Sequence, residues 1–102
     1  MATTIKNITS GTTTDLIVKS EKGVGSISKI LISNNNSSTA TGICVMIDDE
    51  SGNVFYFIRD VKIPSGVTLV LDDNLSYDGE IYKLRIAHDS GSGNPNLTVI
   101  IK

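Results

Sequence analysis

The sequence predicts an all-β protein, an antiparallel β-sandwich with either jelly-roll or immunoglobulin-like topology. Three observations carry that expectation. Apolar and polar residues alternate along most of the chain, and β-branched residues dominate the alternating stretches. No stretch shows a helical period. Turn chemistry built from Gly, Asn, Asp, Ser and Pro recurs about every 8–12 residues, the spacing of a sandwich or barrel. The 102 residues fit one domain, taken here as 1–102.

Taken in order, TTIKNIT supplies Ile5 and Ile8 as apolar points, and TDLIVKS is centred on Leu16, Ile17 and Val18. GSISKILIS reads as one strand carrying Ile27, Ile30 and Ile32. GICVMID sets Ile43, Val45 and Ile47 on one face and Cys44 and Met46 on the other. NVFYFIRDVKI alternates Val54, Tyr56 and Ile58 with Phe55 and Phe57, so both of its faces begin apolar. VTLVLDD puts Val67, Leu69 and Leu71 together. EIYKLRIAH turns Tyr82, Leu84 and Ile86 inward and Lys83 and Arg85 outward, and NLTVIIK closes with Leu97, Val99 and Ile101. Such alternation suits a sheet with one face on a core and one in water. The expected core is Ile30, Ile32, Val45, Ile47, Ile58, Leu69, Leu71, Leu84, Ile86 and Val99.

The breaks agree with this reading. Lys22-Gly23, DDESGN, PSG, YDGE and SGSGNPN are turn-forming. MIDDESGNVFYF is the clearest hairpin, two strong strands around a short polar loop. Pro64 cannot donate to a ladder and belongs at a strand end. The loops 34–41 and 89–96 are expected to be the most mobile.

Composition narrows the function classes. The net charge is -2 and the Lys and Arg residues are scattered, so no nucleic-acid surface is expected. Apolar runs are far shorter than the ~20 residues of a membrane helix. MATTIKNITSG lacks a charged region followed by an apolar one, so no signal peptide is expected. The single cysteine, Cys44, excludes an internal disulfide and suits a reducing compartment. Asn7-Ile8-Thr9 and Asn96-Leu97-Thr98 match the glycosylation acceptor, a chance match without a secretory signal.

No constellation of residues names a reaction. Asp72-Asp73-Asn74, with Asp78 and Glu80 beyond, offers oxygen ligands, but its spacing does not match the calcium loop. Acids that end a strand and blunt its edge explain it more simply. Asp48-Asp49-Glu50 is read in the same way, and no metal site is assigned. His88 is the only histidine; its neighbour Asp89 would point to the opposite face of a strand, so no catalytic residue is assigned. The glycines of GVGS and GSGN match no phosphate-binding fingerprint. Three tyrosines and no tryptophan make a thin platform for stacking sugars, and in a binding module Tyr77 or Tyr82 would be the exposed ring to report a ligand. Phe55 and Phe57 are the candidate protein-interface residues, because VFYFI carries more apolar surface than one core face can hide.

One pattern spans nearly the whole chain. A strand ending in Ser33-Asn34 leads into an Asn/Ser/Thr loop, a strand of small apolar residues, an acidic hairpin and an apolar strand. The turn Ile63-Pro64-Ser65-Gly66-Val67-Thr68 follows, then a Leu-Val-Leu strand and the entry Asp78-Gly79-Glu80-Ile81. This resembles the small β-sandwich structural proteins of tailed bacteriophages. The resemblance implies a virion protein, foremost a capsid decoration protein that stabilises the head by self-association and packing on the particle. A neck, tail or fibre component is the nearest alternative, and a carbohydrate or surface-ligand binding module stands beside it. It implies no enzyme activity and no cofactor. The implied partners are other virion proteins and further copies of the chain, assembled in the host cytoplasm, with no nucleic acid and no membrane.

Overall fold

The computed structural model describes residues 4–19, 24–72, 75–89 and 94–102, with 24–26 described by backbone alone. Ten strands and no helix occur among them: β1 (Thr4–Ile8), β2 (Thr13–Ile17), β3 (Val24–Ile27), β4 (Ile30–Asn34), β5 (Thr41–Asp48), β6 (Val54–Ile63), β7 (Thr68–Leu71), β8 (Leu75–Asp78), β9 (Lys83–Asp89) and β10 (Leu97–Ile101). The protein is an all-β sandwich. Its first sheet runs β1-β10-β4-β7, its second runs β2-β9-β5-β6, and β3 and β8 form a two-stranded ribbon. Every pairing is antiparallel.

This order decides between the two topologies. With β3 and β8 set aside, eight strands remain. They lie first, eighth, third, sixth in one sheet and second, seventh, fourth, fifth in the other. That is the double Greek key of a jelly roll, not the immunoglobulin arrangement.

The core lies between the inner faces. Period-2 alternation drives it: Ile30 and Ile32 on β4, Ile43, Val45 and Ile47 on β5, Leu84 and Ile86 on β9, and Leu97, Val99 and Ile101 on β10 are all buried. Ile8, Leu16, Ile17, Ile27 and Ile63 complete it. Of the expected core, Ile58, Leu69 and Leu71 are only partly buried and pack around its margin. Their strands, β6 and β7, are the outermost of their sheets.

Three local expectations are corrected. GSISKILIS is two strands, not one: at the break, the Ser28 and Lys29 N–H groups both donate to the Lys102 carbonyl, 2.9 and 3.3 Å away. The chain thus leaves the ribbon and enters the first sheet. Val67 does not share a strand face with Leu69 and Leu71; it closes the Pro64–Val67 turn and is exposed. Val18 lies past the end of β2 and is also exposed.

Asn34 fastens two of the crossings. Its side chain is buried at the end of β4, and its Nδ2 donates to the carbonyls of Thr39 and Ile63, both at 2.9 Å. Its Oδ1 accepts from the Asn36 N–H at 3.1 Å. Its backbone N–H donates to the Val67 carbonyl and its own carbonyl accepts from Gly66. One residue therefore holds the β4–β5 loop and the β6–β7 turn together. Gly66 sits at φ +74° in that turn, where an L-residue is strained.

Candidate interface and the surfaces around it

β6 is the free edge of the second sheet and spans ten residues against the eight of β5. Two register shifts absorb the difference, one between Ile43 and Val45 and one between Val45 and Met46. The first places an extra residue near Asp60, which takes φ +56°. The second places it at Phe57, so the simple alternation expected for NVFYFIRDVKI is broken: Phe57 and the next residue, Ile58, both pack against the core.

The two candidate phenylalanines therefore part company. Phe57 is half-buried against the core, whereas Phe55 is 54% exposed and meets Tyr82 edge-on, with ring centroids 6.0 Å apart. Val54 and Tyr56 beside it are exposed too, and the Arg59 guanidinium lies 5.1 Å from the centre of the Tyr56 ring. Tyr77 and Tyr82, by contrast, pack against the core and are not the freely exposed rings expected from the sequence; Tyr56 is. The sequence marked VFYFI as over-apolar but could not tell which ring the bulge would turn inward.

The acidic hairpin is occupied with holding itself together. Asp49 accepts from the N–H groups of Ser51 and Asn53, at 2.8 and 3.0 Å, and from the Asn53 side-chain amide at 2.8 Å. Asp48 accepts from the Glu50 N–H at 2.7 Å. The outer face of the second sheet carries the matching charges. Arg85 pairs with Asp48 at 3.0 Å and with Asp15 at 2.8 Å; Lys83 reaches Asp15 at 3.5 Å and Glu50 at 3.3 Å; Lys19 lies 3.9 Å from Glu50. Three acids and three bases thus balance one another across β2, β5, β9 and the hairpin. Hydrogen bonds, Asn53 first for Asp49 and the Glu50 N–H first for Asp48, hold both aspartates below the ordinary carboxylate value. Of the second acidic run, Asp72 is exposed just beyond β7, and Asp73 and Asn74 fall outside the described residues. Among the described residues, no group of three His, Cys, Asp or Glu side chains is placed to hold a metal ion.

Beside this network lies an open depression of about 700 Å³. It forms where Gly42, Cys44 and Ala87 are small, and Thr13, Asp60 and Lys62 also line it. Cys44 Sγ accepts from the Asp60 N–H at 3.3 Å and donates to Asp60 Oδ1 at 3.5 Å. His88 is paired with Ile43 and so faces inward, whereas Cys44 faces outward opposite Ala87. The imidazole is buried, 3.3 Å from Thr14 Oγ1, and burial lowers its pKa. Asp89 is exposed, on the opposite face from His88. The sheet therefore separates the thiol and the imidazole and does not form a nucleophile–base pair from them.

No family model matches the chain, and neither does any curated protein. Solved structures do. PirA matches with a TM-score of 0.57 and 11% identity, over 96% of this chain and 90% of PirA. The Yersinia pseudotuberculosis-derived mitogen matches with a TM-score of 0.50 and 13% identity, over 99% of this chain and 83% of the mitogen. A chain of the T13 viral particle of infectious bursal disease virus matches with a TM-score of 0.48 and 12% identity over 98% of this chain, which spans 30% of the viral chain. At these identities the likeness to PirA and the mitogen is one of fold alone, the β-sandwich.

Proposed function

We propose that this chain is a structural domain of a virus particle, in the manner of the tailed-phage proteins its sequence pattern resembles. In this reading it decorates and stabilises the capsid by associating with itself and packing on other virion proteins. The observation that carries the reading is the exposed Val54-Phe55-Tyr56 run on β6, an apolar strip at a sheet edge that the monomer leaves in water. The jelly roll is an architecture that capsid domains use, and it requires no cofactor or reacting group. Assembly in the host cytoplasm and residence in the virion follow from this role, with no enzyme activity and no nucleic-acid or membrane contact.

Quantitative mass spectrometry of intact particles from the source tests it. A level comparable to the major shell protein supports a decoration protein. A few copies per particle moves the chain to the neck, tail or fibre. Absence from particles overturns the reading.

A second reading, a stand-alone module that binds a glycan or another surface ligand, is favoured by one observation. PirA and the mitogen are matched over most of their own lengths, so folds of this size occur as whole chains. A saturable glycan titration sensed at exposed Tyr56 supports it, and a flat response across a glycan panel removes it.

A further inference from the structure

The first sheet carries a second apolar surface, and register alone creates it. Residues paired across a sheet project to the same face. Ile5 pairs with Ile100, Ile100 with Leu31, and Leu31 with Val70, so these four form one row across all four strands. The row faces outward, because the alternating neighbours on β4 and β10 are the buried ones. At its ends Ile5 is 62% and Val70 48% exposed, and Leu31 and Ile100 are partly exposed between them.

The adjoining row, Asn7-Thr98-Ser33-Thr68, has no charge. Its polar groups already serve one another. Thr98 Oγ1 donates to Asn7 Oδ1 at 2.9 Å, and the Ser33 and Thr68 hydroxyls lie 2.8 Å apart. Covering these rows strands few hydrogen bonds. Covering the outer face of the second sheet would instead mean drying the Asp15, Asp48, Lys83 and Arg85 charges, which is costly. Of the two broad faces, the first sheet's is the less charged, with Lys29 and Lys102 at one end of it.

We propose that this face joins two copies of the chain face to face. The inference rests on the self-association in the reading above, but places it on a different surface. Size and symmetry specify a second copy as the occupant. The molecule measures 38 × 27 × 18 Å, and the short dimension is that of two stacked sheets. An ellipse on the two longer axes encloses about 800 Å², so overlap of the whole face reaches the area each partner gives to a standard interface. A two-fold axis along the strands lays the row on itself, with Ile5 on Val70 of the other copy and Ile100 on Leu31. The uncharged row then meets its own counterpart, and on the other side of the aliphatic row Lys29 comes opposite Lys102 of the other copy, a like-charge contact that salt screens. Such a contact is isologous and closes at two copies.

Sedimentation equilibrium of the purified chain, from low micromolar to millimolar concentration, tests this with Ile5→Lys/Val70→Lys. Both sites are exposed, and a cooperative melt reports that the variant folds. Ile5→Thr/Val70→Thr, which keeps strand propensity, serves if the lysines disturb the fold. The wild type is expected to dimerise, the double variants to raise the dissociation constant at least about tenfold, and Phe55→Ser to leave it unchanged. A wild type monomeric throughout the range, or a dimer indifferent to both double variants, overturns the proposal. The particle measurement separates the two ideas: a dimer broken by these variants but absent from particles sinks the virion reading alone. A particle component that is monomeric in solution sinks the dimer alone.

Discussion

Asn34→Ala removes three side-chain hydrogen bonds at a position with almost no solvent access, to Thr39, Ile63 and Asn36. Each such bond contributes about 1 kcal/mol net, and a buried group left without a partner costs about 1–3 kcal/mol. The Ile63 carbonyl is the group left so. The loss should therefore be about 3–5 kcal/mol, a large part of the roughly 5–15 kcal/mol that holds a domain of this size. In a melt it corresponds to a fall of about 12 °C or more. Asn34→Asp should be worse than alanine, because it sets a carboxylate against two carbonyl oxygens. Asn35→Ala, which removes an exposed 2.8 Å bond to Thr98, should cost about 0.5 kcal/mol and serves as the control. Urea unfolding measures all three, and the slope checks that the unfolded state has not changed. If Asn34→Ala costs less than about 1 kcal/mol at an unchanged slope, the idea that one side chain fastens both crossings is wrong.

Gly66→Ala should cost about 1–2 kcal/mol, since φ +74° strains any L-residue although no atom would meet the new Cβ; urea unfolding of the variant reads it, and a neutral result would mean the turn relaxes. Phe57→Ser should cost about 2 kcal/mol and Phe55→Ser less than about 1 kcal/mol, because the first loses core contact and the second only an edge contact with Tyr82; separate denaturation curves decide. His88 is held neutral by burial, so the unfolded chain takes up the proton first. Stability should fall as pH drops through about 6.5, level off below the lowered folded value, and lose this arm in His88→Gln. Asp48 and Asp49 have lowered values, so their contribution is present above about pH 4 and is lost as pH falls further, which pH-dependent melts of Asp49→Asn would resolve.

Much of this fold could be read from local pattern. GICVMID and EIYKLRIAH alternate, and the structure buries the faces that alternation assigns to the core, with Met46 on the other face of β5 buried as well. What alternation could not supply is anything set by pairing between distant segments. Nothing in RDV announces a bulge, because Asp60 takes a positive φ without being glycine. Ser28-Lys29 carries no turn signal, and the strand divides there because two sheets compete for it. The exposed aliphatic row was invisible for the same reason. KILIS, TVIIK and TLVLD each show apolar residues on both faces, but only register reveals that Leu31, Ile100 and Val70 line up with Ile5. At the candidate interface, the sequence identified the over-apolar segment and the bulge chose Phe55 over Phe57.

β10 lies between β1 and β4, so the last strand of the domain in chain order is central to the first sheet. Until Leu97–Ile101 has left the ribosome, β1 has no neighbour and β4 has lost one of its two. The pairing Ile5↔Ile100 joins the first and last strands of the domain. This domain therefore cannot complete its first sheet before β10 emerges. Contacts so distant in sequence also make closure slow. During that interval the strand edges of the unfinished first sheet are open, and a chaperone or a second nascent copy can reach them.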